Sequence, residues 1–325
     1  MSARDAPRLL LNRPLPTGGA VRLYEGDCLE GIPRLLPAGS VDVIVTSPPY
    51  NLGIPYASYD DRRPREEYLA WMGTVAETLG RVLAPKGSFF LNVGGPPRDP
   101  WLPWDVARVV GRTLRLQNVI HWVKSIAIDR EAAGRAAGLD RDLAVGHYKP
   151  VGSDRFLHGA HEYIFHFTHD AAVPLDRLAI GVPYQDKSNI ARWKGPAGDR
   201  RCRGNTWFLP YRTIRWAHRD RPHPASFPPE LPLRCYRLHG AKKIRLALDP
   251  FVGIGPSAVA AAQLGLPFVG FDLDEGYLEV ARRAVLAVEP PTYRAGPRSG
   301  PRVRRSTRPK THARLSGGRA QSAAR

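Results

Sequence analysis

The chain has 325 residues, of which 43% are hydrophobic and 24% charged, so it can form one large domain with an insertion or two domains. Lys and Arg together number 48 against 30 Asp and Glu, which gives a formal net charge of +18. The chain contains no apolar run of about eighteen residues, which excludes a membrane-spanning helix of ordinary length. Its three widely spaced cysteines exclude a disulfide framework and favour a reducing, cytoplasmic location. The N-terminal residues have no cleavage-like site, so we expect no secretory signal.

The positive charge is concentrated at the end of the chain. Segment 290–325 contains ten Lys or Arg residues and no acid, so it carries +10 of the total of +18. A basic body with a basic tail fits a polyanionic partner, most simply nucleic acid, whereas solvated surface charge is the competing interpretation. The tail also has few large apolar side chains, and we expect it to be disordered.

The first half of the chain alternates between strand and helix patterns after a leader without periodicity. Five predicted elements follow the leader 1–20 and a strand at 21–24: strand Val41–Thr46, helix 66–83, strand 88–93, helix 104–114 and strand 118–124. The apolar run VDVIVT suits a strand covered on both faces, as in a parallel sheet. This order predicts parallel strands with right-handed crossovers.

The second half begins with an irregular stretch and then returns to the same alternation. Residues 129–220 contain one clear strand, 162–168, which we place at an antiparallel edge of the sheet. Strand 244–249, helix Pro256–Leu264, strand 267–272 and helix 275–288 follow. We therefore expect an α/β fold with a smaller module inserted over 129–220.

A glycine-containing turn after one of these strands is the first candidate site. The run Asp249-Pro250-Phe251-Val252-Gly253-Ile254-Gly255 ends a strand and opens a helix, and its glycines allow a ligand close to the backbone. Asp272 ends the next strand, where a carboxylate can accept hydrogen bonds from both hydroxyls of a ribose. A tight turn without a ligand is the alternative interpretation.

A second candidate site follows strand Val41–Thr46. The tetrad Ser47-Pro48-Pro49-Tyr50 lies at the carboxyl end of that predicted strand, where open α/β sheets bind ligands. Ser47 offers its hydroxyl, Pro48 a carbonyl and Tyr50 an aromatic face with a polar tip. Such a set suits a planar base with an exocyclic amino group. The alternative interpretation is a proline-rich turn or a peptide ligand for another domain.

Taken together, the two sites resemble those of the DNA amino-methyltransferases, which use S-adenosyl-L-methionine to modify N4 of cytosine or N6 of adenine. The tetrad precedes the glycine turn, which resembles the circularly permuted β-type group. The resemblance implies a Rossmann-like, mostly parallel seven-stranded sheet with an inserted target-recognition region. Its implied parts are a leader 1–20, a catalytic half 21–128, a target-recognition region 129–220, a cofactor half 221–288 and a basic tail 289–325.

The resemblance also implies roles for individual residues. Ser47, Pro48, Pro49 and Tyr50 would be catalytic, and the cofactor residues would be Asp27, Cys28, Pro224, Phe227, Asp249, Pro250, Phe251, Gly253, Gly255 and Asp272. Double-stranded DNA would be the substrate, in a bacterial or archaeal nucleoid. The chain departs from the family where Pro256 and Ser257 replace its usual threonines. A cognate restriction endonuclease and a homodimer stay open.

In this chemistry Ser47 and the Pro48 carbonyl would accept hydrogen bonds from the amino group of a flipped base, while Tyr50 stacks on that base. Ser47, in place of the aspartate frequent in adenine enzymes, favours N4 of cytosine, and N6 of adenine is the alternative. Histidines 158, 161, 166 and 169 are expected to be structural or DNA-facing, with no metal, and Cys28 a packing residue.

Two other classes of protein remain as alternatives at this point. A nicotinamide-dependent oxidoreductase could use the glycine turn, although a dinucleotide usually needs two such halves of a sheet. A non-catalytic DNA-binding protein would also explain the charge.

Overall fold

Nine strands of the described chain form one sheet. A computed structural model describes residues 6–56, 58–134, 138–146, 152–193, 198–210 and 226–289, all within the compact unit Met1–Pro291. The strands are β1 (Arg8–Pro14), β2 (Ala20–Glu25), β3 (Val41–Thr46), β4 (Leu83–Val93), β5 (Arg115–Val123), β6 (Ser125–Ile128), β7 (Leu143–Gly146), β8 (His161–Thr168), β9 (Thr206–Phe208), β10 (Ala247–Asp249) and β11 (Phe268–Asp272). Strands β6 and β7 form a separate two-stranded sheet.

Helices cover the sheet. They are α1 (Cys28–Leu35), α2 (Arg65–Val82), α3 (Leu102–Val110), α4 (Arg130–Ala133), α5 (Ser188–Trp193), α6 (Glu230–His239), α7 (Pro256–Leu264) and α8 (Glu275–Leu286), with a 3-10 turn at Ala241–Lys243. No helix in the described part of the chain is long and apolar enough to cross a membrane.

The strand order in the large sheet is β1-β2-β11-β10-β3-β4-β8-β5-β9. Strands β2, β11, β10, β3 and β4 run parallel to one another, as do β5 and β9. Strand β8 is antiparallel to both of its neighbours, and β1 is antiparallel to β2. The predicted α/β fold with a mostly parallel sheet is confirmed. Its seven inner strands are extended by β1 and β9 at the edges.

Hydrophobic patterning accounts for the elements at the centre of the sheet. All six residues of β3 are buried, as expected for a strand covered by helices on both faces. Helix α2 buries the predicted stripe of Tyr68, Met72, Val75, Leu79 and Val82. The prediction for this half of the sheet is confirmed, and β4 begins directly where α2 ends.

The prediction of a loose leader over residues 1–20 is wrong from Arg8 onwards. Strand β1 pairs with β2, and Arg13 donates a hydrogen bond to the carbonyl of Val288 at 2.6 Å. Only Leu11 of this strand is buried, because β1 is an edge strand with one neighbour. Its sequence therefore lacks the apolar run that identified β3.

The prediction that strand 162–168 lies at a sheet edge is also wrong. Strand β8 is antiparallel, as expected, but it lies between β4 and β5 and pairs with both. Strand β9 joins the same sheet beside β5. Two strands of the region 129–220, β8 and β9, therefore belong to the central sheet. Pairing across the sheet is a long-range property that local periodicity does not contain.

Candidate active site

One cleft lies at the edge of the sheet where the parallel strands β2, β3, β4, β10 and β11 end. Its cavity volume is about 870 Å³, within the range of small-molecule and cofactor sites. Loops after these strands line it, because parallel strands deliver their carboxyl ends to the same edge. The turn after β3 and the glycine turn after β10 thus face one shared space.

Most of the residues singled out in the sequence line this cleft. They are Asp27, Cys28, Ser47, Pro48, Pro49, Tyr50, Phe227, Pro250, Phe251, Gly253 and Asp272. Asp249 and Gly255 are not among the lining residues, so we assign them supporting roles instead. Pro224 lies outside the described residues.

The carboxylate of Asp272 is held in a fixed orientation at the cleft. Its Oδ2 accepts a hydrogen bond from the backbone N–H of Gly253 at 2.8 Å, and its Oδ1 accepts one from Asp274 at 3.0 Å. A carboxylate has about four lone-pair sites, so each oxygen keeps one for a ligand hydroxyl. Burial raises the pKa of Asp272 to about 6, against the opposing effect of these two donors.

Asp249 braces the site from within rather than lining it. Its side chain is buried and accepts hydrogen bonds from Thr46 of β3 at 2.6 Å, from Ser257 of α7, and from the backbone N–H of Phe251 at 3.0 Å. The carboxylate therefore joins the end of the tetrad's strand to the start of the helix after the glycine turn. Burial raises its pKa to about 6.

Replacing Asp249 with alanine should destabilise the fold. The variant leaves buried donors unpaired, and each of them costs about 1–3 kcal/mol of the free energy of unfolding. Chemical unfolding without cofactor measures the change, with Asp170→Ala as control, since Asp170 pairs with Lys86 in an exposed ion pair. Unfolding free energies equal to wild type in both variants would contradict the bracing role.

Gly255 is required by packing. It adopts a left-handed conformation with φ of 83°, and a Cβ atom there would lie 2.7 Å from the Cβ of Ala281 on α8. The glycine thus lets α7 start close against α8, with Pro256 at the first helical position.

Asp27 and Cys28 line the cleft at the start of α1. Asp27 caps that helix by accepting a hydrogen bond from the N–H of Leu29 at 2.9 Å. Burial raises the pKa of the Cys28 thiol well above its ordinary value, and the nearby charge of Asp27 adds to the effect. A thiol kept protonated is a poor nucleophile, which supports a packing role.

A side chain of α2 holds the tetrad in position. The hydroxyl of Tyr68, on the buried stripe of that helix, donates a hydrogen bond to the carbonyl of Pro49 at 2.9 Å. Ser47 and Tyr50 share a hydrogen bond of 2.7 Å between their hydroxyls. The two prolines restrict the backbone between them, so Ser47 and Tyr50 lie together at the cleft.

Three further polar residues form a network with Tyr50. Asn92 donates to the Tyr50 hydroxyl at 2.6 Å and to Glu162 Oε2 at 2.7 Å. The Tyr50 hydroxyl donates to the same Oε2 at 3.2 Å, and Lys124 forms a 2.8 Å ion pair with Glu162 Oε1. A tyrosine has one proton, so if it goes to Glu162, the hydroxyl proton of Ser47 goes to Tyr50. The lone pairs of Ser47 are then available as acceptors.

Sequence reasoning missed Asn92 and Glu162. Asn92 was detectable as the one polar side chain within the apolar run FFLNV of β4, at the end that meets the cleft. Glu162 was not, because β8 is antiparallel and brings its first residues to the carboxyl end of β4. Only the sheet topology places this carboxylate beside the tetrad.

An aromatic wall closes one side of the cleft. Trp71 of α2 packs against Phe251 of the glycine turn, with ring centroids 5.5 Å apart, and both line the cavity.

The segment after the tetrad is fixed by the buried Asp61, which accepts hydrogen bonds from the backbone N–H groups of Asn51, Leu52 and Ile54 at 2.8–3.0 Å.

The four histidines do not form one cluster. His166 is buried between Ser88 and Asn118, both 3.0 Å away, and burial lowers its pKa to about 3. His158 and His161 line the cleft, and His169 contacts the carbonyl of Leu83. Within the described ranges, no group of three or more His, Cys, Asp or Glu residues is arranged to hold a metal.

The sheet is mostly parallel, and the glycine turn and the aspartate at the end of β11 meet at one cleft. This arrangement is that of a Rossmann-like enzyme that binds a nucleotide cofactor. Comparison with known families narrows this class: residues 41–283 match the N6/N4 DNA methylase family, and the chain belongs to it. It is an S-adenosyl-L-methionine-dependent DNA methyltransferase, so the oxidoreductase and non-catalytic alternatives fall away.

Individual relatives agree with this family. The chain is 30% identical to type II methyltransferase M.BglII from Bacillus subtilis, over 83% of this chain and 69% of the relative. It is 26% identical to type II methyltransferase M.Cfr9I from Citrobacter freundii, over 86% of this chain and 92% of the relative.

Two solved structures share the fold. PvuII DNA methyltransferase (cytosine-N4-specific) matches with a TM-score of 0.58 at 17% identity, covering 82% of this chain and 86% of that chain. A putative DNA modification methylase from Thermus thermophilus, complexed with S-adenosyl-L-methionine, matches with a TM-score of 0.52 at 22% identity, covering 82% of this chain and 93% of that chain.

Proposed function

We propose that the chain transfers a methyl group from S-adenosyl-L-methionine to the exocyclic amino group of a base flipped out of duplex DNA, with N4 of cytosine as the favoured atom. One observation carries this proposal. The tetrad beginning at Ser47 and the cofactor edge at Asp272 line the same cleft of about 870 Å³. A donor molecule and an extruded base can therefore meet in one shared cleft.

The cofactor would occupy the side of the cleft formed by β10, β11 and β2. Asp272 would accept hydrogen bonds from the ribose hydroxyls, since each of its oxygens retains acceptor capacity. Gly253 would allow close approach of the backbone, and Asp27 and Phe227 would line the two ends of the site. Phe251, held by Trp71, would present a flat apolar face to the adenine.

The base would bind on the tetrad side. An exocyclic amino nitrogen is a weak nucleophile because its lone pair is delocalised into the ring. Hydrogen bonds from the amino group to Ser47 Oγ and the Pro48 carbonyl would localise that lone pair toward the sulfonium methyl group. The network through Tyr50 and Glu162 favours this, because it directs the Ser47 proton away from the base. Catalysis here is positioning and electrostatics.

The preference for cytosine rests on Ser47, a neutral residue where aspartate is frequent among the adenine enzymes of the family. Adenine N6 is the alternative, since both targets present the same amino group to the same acceptors. The two outcomes differ only in the modified nucleoside.

Analysis of methylated DNA tests the proposal. DNA from a methylation-deficient host expressing the chain would be digested to nucleosides and analysed by mass spectrometry. We expect N4-methylcytidine, as its deoxynucleoside; the N6-methyl nucleoside of adenine would support the alternative. Single-molecule sequencing of the same DNA identifies the recognition sequence. If neither modified nucleoside forms, the proposal fails.

Removal of the basic tail should weaken DNA binding in a salt-dependent way. Deleting residues 290–325 removes a charge of +10, and the slope of log affinity against log salt should fall by about 0.9 for every phosphate that the tail neutralises. Titrations of the full chain and the truncated chain at several salt concentrations measure the two slopes. An unchanged slope would show that the tail does not contact phosphates.

A further inference from the structure

The loop before β8 carries the most exposed large apolar side chain of the described residues. Leu157 is 89% exposed, and its neighbour Phe156 is 37% exposed. Packing among the described residues therefore does not explain the leucine, because little of its surface is removed from water. An exposed leucine is by itself ordinary on a protein surface, so the position of this one relative to the cleft decides what it means.

Phe156 and Leu157 form the tip of this loop, and the tip lies close in the chain to residues of the active site. Gly152, His158 and Gly159, on either side of the tip, line the cleft. The base of the loop is fixed, because the carbonyl of Ala160 accepts a hydrogen bond from the backbone N–H of Lys124 at 2.8 Å. The loop is thus attached to β5 on the β8 side, and residues on both sides of the tip line the cavity.

We propose that Leu157, supported by Phe156, enters the gap that the extruded base leaves in the DNA duplex. This inference rests on the proposed function, since it needs a flipped base. Proteins that unstack DNA insert apolar wedges between base steps, and removing a base from the stack requires a few kcal/mol that such contacts can offset. Leu157 is an apolar side chain exposed to solvent, and it directly precedes His158, which lines the cleft.

The charge beside the tip fits this partner. The guanidinium of Arg155 lies 5.6 Å from the centre of the Phe156 ring, and Arg155 is two residues before Leu157 in the chain. An apolar tip flanked by a cation can contact bases and phosphates together. The chain has a net charge of +18, so a polyanion such as DNA is favoured as the occupant over a second copy with the same sign of charge.

The experiment compares duplexes that differ in the cost of flipping. Both carry the recognition sequence that single-molecule sequencing of the methylated DNA would give; in one the target base is paired, and in the other it faces an abasic position. Leu157→Ala should reduce kcat/KM on the paired duplex about tenfold or more, and much less on the duplex with the abasic position. Leu286→Ala, at a leucine 48% exposed on α8, is the matched control and should behave like wild type on both.

A fluorescent base analogue at the target position gives a second measurement. On binding of the variant, the fluorescence increase that reports unstacking should be smaller than with wild type. Equal kcat/KM for Leu157→Ala and wild type on the paired duplex, or equal losses on both duplexes, would overturn the wedge. A change in sedimentation of the variant without DNA, with unaltered activity, would instead assign the tip to self-association. Wild-type protein that methylates neither duplex would refute the proposed function itself.

Discussion

Replacing Ser47 with alanine should lower the turnover of methyl transfer by about 10²–10³-fold, while the affinity for S-adenosyl-L-methionine stays near that of wild type. The magnitude is that of removing one hydrogen-bonding group aimed at a reacting centre. The serine hydroxyl is the acceptor that would localise the amino lone pair, and the cofactor site lies on the other side of the cleft. The loss should therefore appear in kcat and not in cofactor binding.

The structure indicates that this substitution leaves the other hydrogen bonds of the tetrad in place. Without the serine hydroxyl, Tyr50 still has Asn92 at 2.6 Å and Glu162 at 3.2 Å as hydrogen-bond partners, so the tetrad should keep its position. Single-turnover rates on saturating DNA and calorimetry with the cofactor separate the two effects. Ser40→Ala is the matched control, because its hydroxyl bonds the carbonyl of Pro37 on the exposed surface. A wild-type single-turnover rate for Ser47→Ala would remove Ser47 from the mechanism.

Replacing Asp272 with alanine should weaken binding of S-adenosyl-L-methionine by about 1.5–3 kcal/mol for each charged hydrogen bond that disappears, or about tenfold to a hundredfold and more. The carboxylate lies at the end of β11, oriented by Gly253 and Asp274. Because these two N–H groups lie at a cleft open to solvent, water can replace the carboxylate and the fold should persist. Calorimetric titration measures the loss.

The same residue makes cofactor binding depend on pH. Burial raises the pKa of Asp272 to about 6, so its proton is taken up as the pH falls through that value. The protonated carboxyl loses its charge and part of its acceptor capacity, so cofactor affinity should fall with decreasing pH, by at most about tenfold per pH unit. Above pH 7 the affinity should be constant with respect to this group.

Comparison of variants assigns this pH dependence. Asp272→Ala should show a flatter profile than wild type between pH 7 and pH 5, and any residual slope reports other groups, Asp249 among them. Asp170→Asn, in an exposed ion pair with Lys86, should retain the wild-type profile. Parallel profiles for wild type and Asp272→Ala, or equal affinities at pH 8, would show that Asp272 does not bind the cofactor.

Local patterns predicted those elements whose burial is visible in the sequence. The run VDVIVT of β3, the stripe on α2 and the bounds of α7 follow from one strand or helix at a time. Strand β1 was missed because an edge strand buries one residue in its centre and shows no period. The sequence predicted that β8 is an antiparallel strand. It did not predict that β8 lies between β4 and β5, because long-range packing determines which strands are neighbours in a sheet.

The sequence by itself determined the α/β class, the order of the tetrad and the glycine turn, and the meeting of these two loops at one cleft. These follow from chain order, since every parallel strand delivers its carboxyl end to the same edge of the sheet. The tertiary structure alone decided that Glu162 contacts Tyr50 and pairs with Lys124, that Asp249 joins β3 to α7 inside the site, and that Leu157 is exposed beside residues that line the cleft. Those features join residues far apart in the chain, and their distances are set by the packing of the whole sheet.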